Sequence, residues 1–455
     1  QKTIRIMKKK NWLIMLCMAM ALALPAVLTS CGDDEDGSTN GGGNNGGNGG
    51  NTSELTVSQQ KERLESTALE LMGKVNTNDF QSIADLFEQV TDNGDPGDVL
   101  SDWFETCADA CKLTVLGNGT ERYLYTASNF YGQFTYSNGR WKQTGKESGN
   151  LTFNFNNQNG TPCQLKVTAT AKGTTLHHNS FDTWDYDYGY YNGQWYNDKH
   201  FKENSFVVPD KVTVTLSQGG TKLATATVNT KLTLSNGPEV DLGKDKAYVT
   251  AELMVNDYKI VVEKAQYNMA GGSNNTATAS AKLYKGSELL VTASASAAGT
   301  VREEDDPIVK SVSVSCDVLG KVQVRGTVNN VNQISDYLDD ISEKYYNNEE
   351  ATKNAIRKIN ELTDLGLYFD GRQDKSAEVK YQARYDDYGY NGYWSEEQVV
   401  VFPDGSAYQS FEEYFDEYTY DSVIRKFEDI CEQFAKMFGC DDDNDRYSYA
   451  PSHRK

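Results

Sequence analysis

The chain has 455 residues, with 44 Lys and Arg against 65 Asp and Glu, a net charge of −21. Such a surface repels nucleic-acid phosphates and anionic headgroups, which argues against nucleic acid as a partner. Its bulk of about 400 residues exceeds the ~250–300 at which one hydrophobic core usually splits, so composition and length together predict two lobes.

Lys8, Lys9 and Lys10 precede an apolar run from Trp12 to Val27, and small residues follow up to Ser30. The run is about sixteen residues, short of the ~20 that a spanning helix needs, and Leu24-Pro25 interrupts it. This is the pattern of a secretory signal, residues 1–30, with Met7 as the expected start and Gln1 to Ile6 carrying no function. Leu28-Thr29-Ser30-Cys31 resembles the lipobox of bacterial outer-membrane lipoproteins, and the acidic run Asp33 to Asp36 resembles the signal that exports some of them to the cell surface. The resemblance implies that Cys31 becomes the lipidated, palmitate-bearing N-terminus. It also implies an outer-membrane localisation facing the cell exterior, with the membrane as partner through the lipid anchor.

Residues 31–55 form the expected tether. Gly37 to Ser53 is rich in Gly and Asn, cannot bury a core, and spans on the order of 20–25 Å as a coil. Leu64, Ala68, Leu71 and Val75 then repeat at helical spacing, with Ser58 as the expected N-cap. Phe80, Ile83, Ala84, Phe87 and Val90 predict a second helix, broken at Asp92 to Gly97, and Val99 to Cys111 a third.

From Glu121 the period changes to two. Leu165, Val167 and Ala169 alternate with polar residues, as do Val212, Val214 and Leu216, and Gly219-Gly220 predicts a tight hairpin into 222–229. Residues 246–298 read as a meander of long strands with turns at Asn256-Asp257, Gly271-Gly272 and Lys285-Gly286. Ala277, Ala279 and Ala281 on one strand and Ala293, Ala295 and Ala297 on another lack the volume to fill a core. Something bulky, such as a helix bearing Leu and Phe, is expected against them.

Val312, Val314, Cys316, Val322 and Val324 continue the strands. Helical spacing returns at Ile334, Leu338, Ile341 and Tyr345, and again at Ala355, Ile359 and Leu362. Strands at 377–385 and 397–402 follow, then a helix from Asp421 through Val423, Phe427, Ile430 and Phe434, with Gly439 at its C-cap position. The expected fold class is α+β, with long-stranded antiparallel sheets packed with helices. An N-terminal lobe covers 56–305, a C-terminal lobe 306–440, and an acidic tail 441–455.

One local pattern occurs three times: Asn138-Gly139-Arg140-Trp141, Asn192-Gly193-Gln194-Trp195 and Asn391-Gly392-Tyr393-Trp394. Asn-Gly favours a type I′ turn, which puts the Trp early on the return strand, over a cross-strand neighbour. The second and third copies are preceded by Asp187-Tyr188-Gly189-Tyr190 and Asp387-Tyr388-Gly389-Tyr390, a short match that allows an ancient duplication. Flat aromatic faces among carboxylates and amides suit a carbohydrate site, and Tyr and Trp also anchor protein interfaces. Equally, both residues favour strands for purely structural reasons. The candidate binding residues are Trp184, Tyr188, Tyr190, Trp195, Tyr388, Tyr390, Tyr393 and Trp394.

The cysteines left after Cys17 and Cys31 are Cys107, Cys111, Cys163, Cys316, Cys431 and Cys440. Cys107 and Cys111 stand four apart on an expected helix, poor disulfide geometry, and no C-x-x-C pair suggests zinc, so core cysteines are expected. His177-His178 would point to opposite strand faces, no catalytic fingerprint occurs, and Asp441 to Asp445 lacks the Gly and Glu of a calcium loop. No enzyme activity, cofactor or metal is expected. The leading reading is a non-catalytic surface lipoprotein that binds a glycan or protein ligand through the Tyr/Trp-rich hairpins. The alternatives are a lipid carrier, similar in architecture alone to two-lobed tubular lipid-binding proteins, and a structural or adhesive surface component.

Overall fold

The computed structural model describes residues 55–75, 103, 106–386 and 392–407, apart from 139, 147–148, 158, 193, 242, 270–274 and 303–304. The signal, Cys31, most of the tether, the second predicted helix, the Gly271-Gly272 turn and the chain from 408 onward lie outside these residues. So do Tyr388, Tyr390, Cys431 and Cys440. Of the third predicted helix Trp103 and residues 106–111 are described: Trp103 and 106–109 are helical, and 110–111 form a turn that ends it before Cys111.

Helix α1 (Val57–Lys74) opens the described chain. Its N-cap is Thr56, two residues before the expected Ser58, because Thr56 and Gln59 complete a reciprocal capping box. Strands β1 (Lys112–Val115), β2 (Glu121–Tyr125), β3 (Gly132–Ser137), β4 (Arg140–Gly145), β5 (Leu151–Asn156), β6 (Pro162–Ala169) and β7 (Gly173–His177) follow. Next come β8 (Thr183–Tyr191), β9 (Gln194–Pro209), β10 (Lys211–Gln218), β11 (Thr221–Thr233), β12 (Lys246–Val255) and β13 (Tyr258–Met269). Then β14 (Asn275–Lys285), β15 (Glu288–Arg302), β16 (Asp305–Val318) and β17 (Val322–Asn329) lead to α2 (Val331–Asp340), a π-helical turn over Ile341–Tyr345, and α3 (Glu349–Leu362). Strands β18 (Thr363–Phe369), β19 (Ala377–Asp386) and β20 (Tyr393–Val401) complete the order.

This corrects the expected α+β class. Of the described residues 59% are strand and 20% helical. Fifteen strands form one sheet, in the order β20-β19-β18-β17-β16-β15-β14-β13-β12-β11-β10-β6-β5-β3-β4. The physical reason lies in the pairing: from β10 to β17 each strand runs antiparallel beside its predecessor, so the meander keeps adding to one sheet without the crossover helices that parallel neighbours would need. The β15–β16 ladder, Val291↔Val318 to Arg302↔Asp305, carries the sheet past residue 305, where the second lobe was expected to begin. A second sheet of five strands contains β1, β2, β9, β7 and β8.

Helix α1 runs across the strands beneath a row of hairpin turns. Arg63 pairs with Asp370 after β18, Glu70 with Lys321 in the β16–β17 turn, and Lys74 with Glu288 at the start of β15 at 2.8 Å. The Tyr258 hydroxyl, at the start of β13, donates to the Lys74 carbonyl at 3.0 Å. From Arg63 to Glu70 the helix climbs about 10 Å, and successive hairpins in a sheet stand about 9.6 Å apart, so the two pitches match.

The same helix forces the sheet to bend. Leu71, Met72 and Val75 share a core cluster with Phe134, Trp141 and Phe153, near the β4 end of the sheet. Leu64 shares another with Leu367, Phe369 and Val400, at the β20 end. A flat fifteen-stranded sheet would extend about 70 Å across its strands, whereas α1 is about 27 Å long. Both ends reach one helix only because the sheet curls around it.

The two alanine stripes are direct partners: Ala277↔Ala297, Ala279↔Ala295 and Ala281↔Ala293. Ala277, Ala279, Ala281 and Ala293 are buried, and Ala279 and Ala281 cluster with Val249, Ala251, Val262 and Ala265 of the adjoining strands rather than with a described helix. Cys107, Cys111, Cys163 and Cys316 are buried and form no disulfide among the described residues, and burial pushes the thiols of the first three up.

Candidate functional site

The three Asn-Gly-x-Trp hairpins have three different fates. Asn138 and Asn192 both adopt positive φ, 53° and 48°, as their turns require. Trp141 is only 2% exposed and packs edge-to-face on Phe153 at 5.5 Å, so the first hairpin builds core. In the third, the Trp394 ring tilts against Tyr385 at 5.2 Å, with Lys353 of α3 5.6 Å from its centroid. The Trp394 amide donates to the Tyr346 carbonyl, so this hairpin is tied to the helical connection. Tyr393 stands opposite Asp386, whose carboxylate receives Ser395 Oγ at 2.7 Å and pairs with Arg384 at 3.0 Å.

The second hairpin carries its Trp on the surface, with Trp195 exposed. Strand β9 pairs with β7 over its last residues and with β2 over Lys202–Phe206, but Gln194 to Phe201 pair only with β8 among the described residues. The β8–β9 hairpin therefore leaves the five-stranded sheet as a two-stranded ribbon. Its root is fixed by Asn204, which is buried: its amide donates to Asp182 Oδ1 at 3.0 Å, its side chain donates to the Phe181 carbonyl at 2.7 Å, and it accepts from Tyr125 at 3.1 Å. Phe206 stacks on Tyr125 at 4.9 Å and meets Phe181 edge-on at 5.2 Å.

The two-residue turn sets the register, Tyr190↔Trp195, Tyr188↔Asn197, Tyr186↔Lys199 and Trp184↔Phe201. Directly opposed residues share a face, so these eight register positions form one face about 20 Å long. Trp195 is 78% exposed, Trp184 53% and Tyr186 42%. Trp184 contacts Phe201 at 4.8 Å, and Lys199 Nζ sits 3.8 Å from the Trp184 centroid and 5.5 Å from that of Tyr186. On the other face Asp185 pairs with Lys202 at 2.8 Å, and that hydrogen bond holds its carboxyl below the usual range.

Of the sequence-predicted residues, Trp184, Tyr188, Tyr190 and Trp195 thus share one face of β8–β9, while Tyr393 and Trp394 lie at the far edge of the large sheet. The first four belong to the five-stranded sheet and the last two to the fifteen-stranded one. Tyr186, Lys199 and Phe201 belong to the ribbon face and were not among the candidates. Counting outward from Asn192-Gly193 pairs them and would have found them.

A separate cluster surrounds His177. Its Nδ1 lies 2.8 Å from Glu239 and its Nε2 3.1 Å from Asp182. Burial alone lowers its pKa, but the hydrogen bonds to Glu239 and Asp182 outweigh that and the net shift is upward. The carboxylates bind opposite ring nitrogens and share no point for a cation. His178 instead caps the following 3₁₀ turn, accepting from the Ser180 amide.

No protein-family profile, curated protein or solved structure matches this chain.

Proposed function

We propose that this chain is a non-catalytic, lipid-anchored surface protein that binds extended glycans on the aromatic face of the β8–β9 ribbon. The observation that carries the reading is the exposure of Trp195, Trp184 and Tyr186 on one face of a ribbon whose root is rigidly packed. Leaving large aromatic surfaces in water costs roughly 25 cal/mol per Å², and exposed aromatics gathered on one face mark a binding surface. Flat rings stack on sugar C–H groups, and a strip about 20 Å long suits an extended chain. A ribbon paired along one side only also stands clear of the sheet, accessible to a polymer. The lipobox-like stretch at Cys31 and the Gly/Asn tether support display away from a membrane.

Titration calorimetry and glycan-array binding of the wild type, Trp195→Ala and Trp394→Ala test the site. Binding should be lost in Trp195→Ala and retained in Trp394→Ala, whose ring packs on Tyr385. Wild-type binding by Trp195→Ala overturns the assignment. Palmitate labelling that persists in Cys31→Ala would remove the proposed anchor.

A further inference from the structure

We infer that the ribbon selects glycans bearing spaced carboxylates, with Lys199 as the residue that recognises the anion. This inference rests on the glycan reading above. Lys199 lies in the aromatic face itself, directly opposite Tyr186 and with its ammonium over Trp184. Neighbouring cations are engaged: Lys202 by Asp185, Lys112 by Glu121 and Arg122 by Glu203. Among the described residues no carboxylate pairs with Lys199, although the chain carries 65 acidic residues against 44 Lys and Arg. An exposed cation held between two rings, with no carboxylate partner among the described residues, is placed to receive an anion from a stacked ligand.

The charge around it sets the kind of anion. A protein of net charge −21 repels a densely charged polymer, and the surplus negative charge rejects polyanions that a single lysine cannot offset. A glycan with isolated carboxylates between neutral sugars meets less repulsion. It can stack its neutral rings on Trp195, Tyr186 and Trp184 while one carboxylate reaches Lys199. Arg would keep this contact and Gln would not, since both carboxylate recognition and the cation–π seat need the charge.

The test is an array of matched oligosaccharides, each with uronic-acid carboxylates and in carboxyl-reduced form, probed with wild type, Lys199→Gln and Lys199→Arg. Circular dichroism confirms that each variant folds. The wild type should prefer the acidic form about fivefold, the scale of one exposed ion pair, and added salt should shrink the preference. Lys199→Gln should abolish the acidic-to-reduced ratio and Lys199→Arg should keep it. Equal wild-type affinity for both forms overturns acidic selectivity and leaves the glycan reading standing. An unchanged ratio in Lys199→Gln removes Lys199 from the recognition. Absence of binding to every glycan, acidic or neutral, defeats the glycan reading itself and this inference with it.

Discussion

The same four-residue pattern is core at Trp141 and surface at Trp195, and that difference sets two mutational costs far apart. Trp141 is buried among Phe134, Phe153 and Phe155, within the cluster that also receives Leu71 and Met72 of α1. Truncating a buried Trp to Ala costs about 3–5 kcal/mol through lost transfer energy and the cavity left behind. The indole Nε1 of Trp141 is buried with no hydrogen-bond partner among the described residues. Removing it relieves a desolvation cost of about 1–3 kcal/mol, which places the expected loss near the lower end, about 3 kcal/mol. Trp195, at 78% exposure, leaves no cavity, and Trp195→Ala should stay within about 0.5 kcal/mol of wild type. Urea unfolding followed by far-ultraviolet circular dichroism is the right assay, because each variant removes one of the six Trp and so changes the fluorescence signal itself. A large drop in midpoint for Trp141→Ala beside an unmoved Trp195→Ala is the expected result. Equal shifts, or a larger shift for Trp195→Ala, would refute the division of roles between the two hairpins.

Three further outcomes follow from the packing. Leu71→Ala, which opens the core under α1, should cost about 2–5 kcal/mol, whereas Arg63→Ala, which removes an exposed ion pair to Asp370, should cost at most about 1 kcal/mol; equal midpoints in urea would disprove the role given to α1. Gly326 has φ 155° and an added Cβ would collide with the Asp364 carbonyl across the β17–β18 ladder, so Gly326→Ala should lose about 1–3 kcal/mol, read by thermal unfolding. The folded-state pKa of His177 is raised above its ordinary 6.5, so its contribution to stability is complete below that value and fades as pH rises through the folded pKa. His177→Gln should flatten this part of the stability profile above pH 6.5, and an unchanged slope in thermal melts would show that the Glu239 and Asp182 contacts contribute nothing.

Much of the local structure was legible because it depends on short-range physics. The period-two runs and the Gly219-Gly220, Asn256-Asp257 and Lys285-Gly286 turns all mark real hairpins. Leu64, Leu71 and Val75 do form the buried stripe of α1. The pairing of the alanine stripes was also latent, since a tight turn after Lys285 fixes which residues oppose each other. Strand β18 was missed because it follows α3 at Thr363 with no intervening turn residue, so no local signal separates them.

Local pattern carries the inventory: period, turns, an acidic surface, and three hairpins with a Trp at the same place. The number of sheets emerges from long-range pairing, because each strand edge can accept a partner and local pattern says nothing about which one arrives. Tertiary packing likewise decides which Trp is core, which is clamped against a helix and which meets solvent. A Trp at a fixed offset from a turn has the same local environment in all three cases. Its burial depends on what other segments bring to that face, and those segments are distant in sequence.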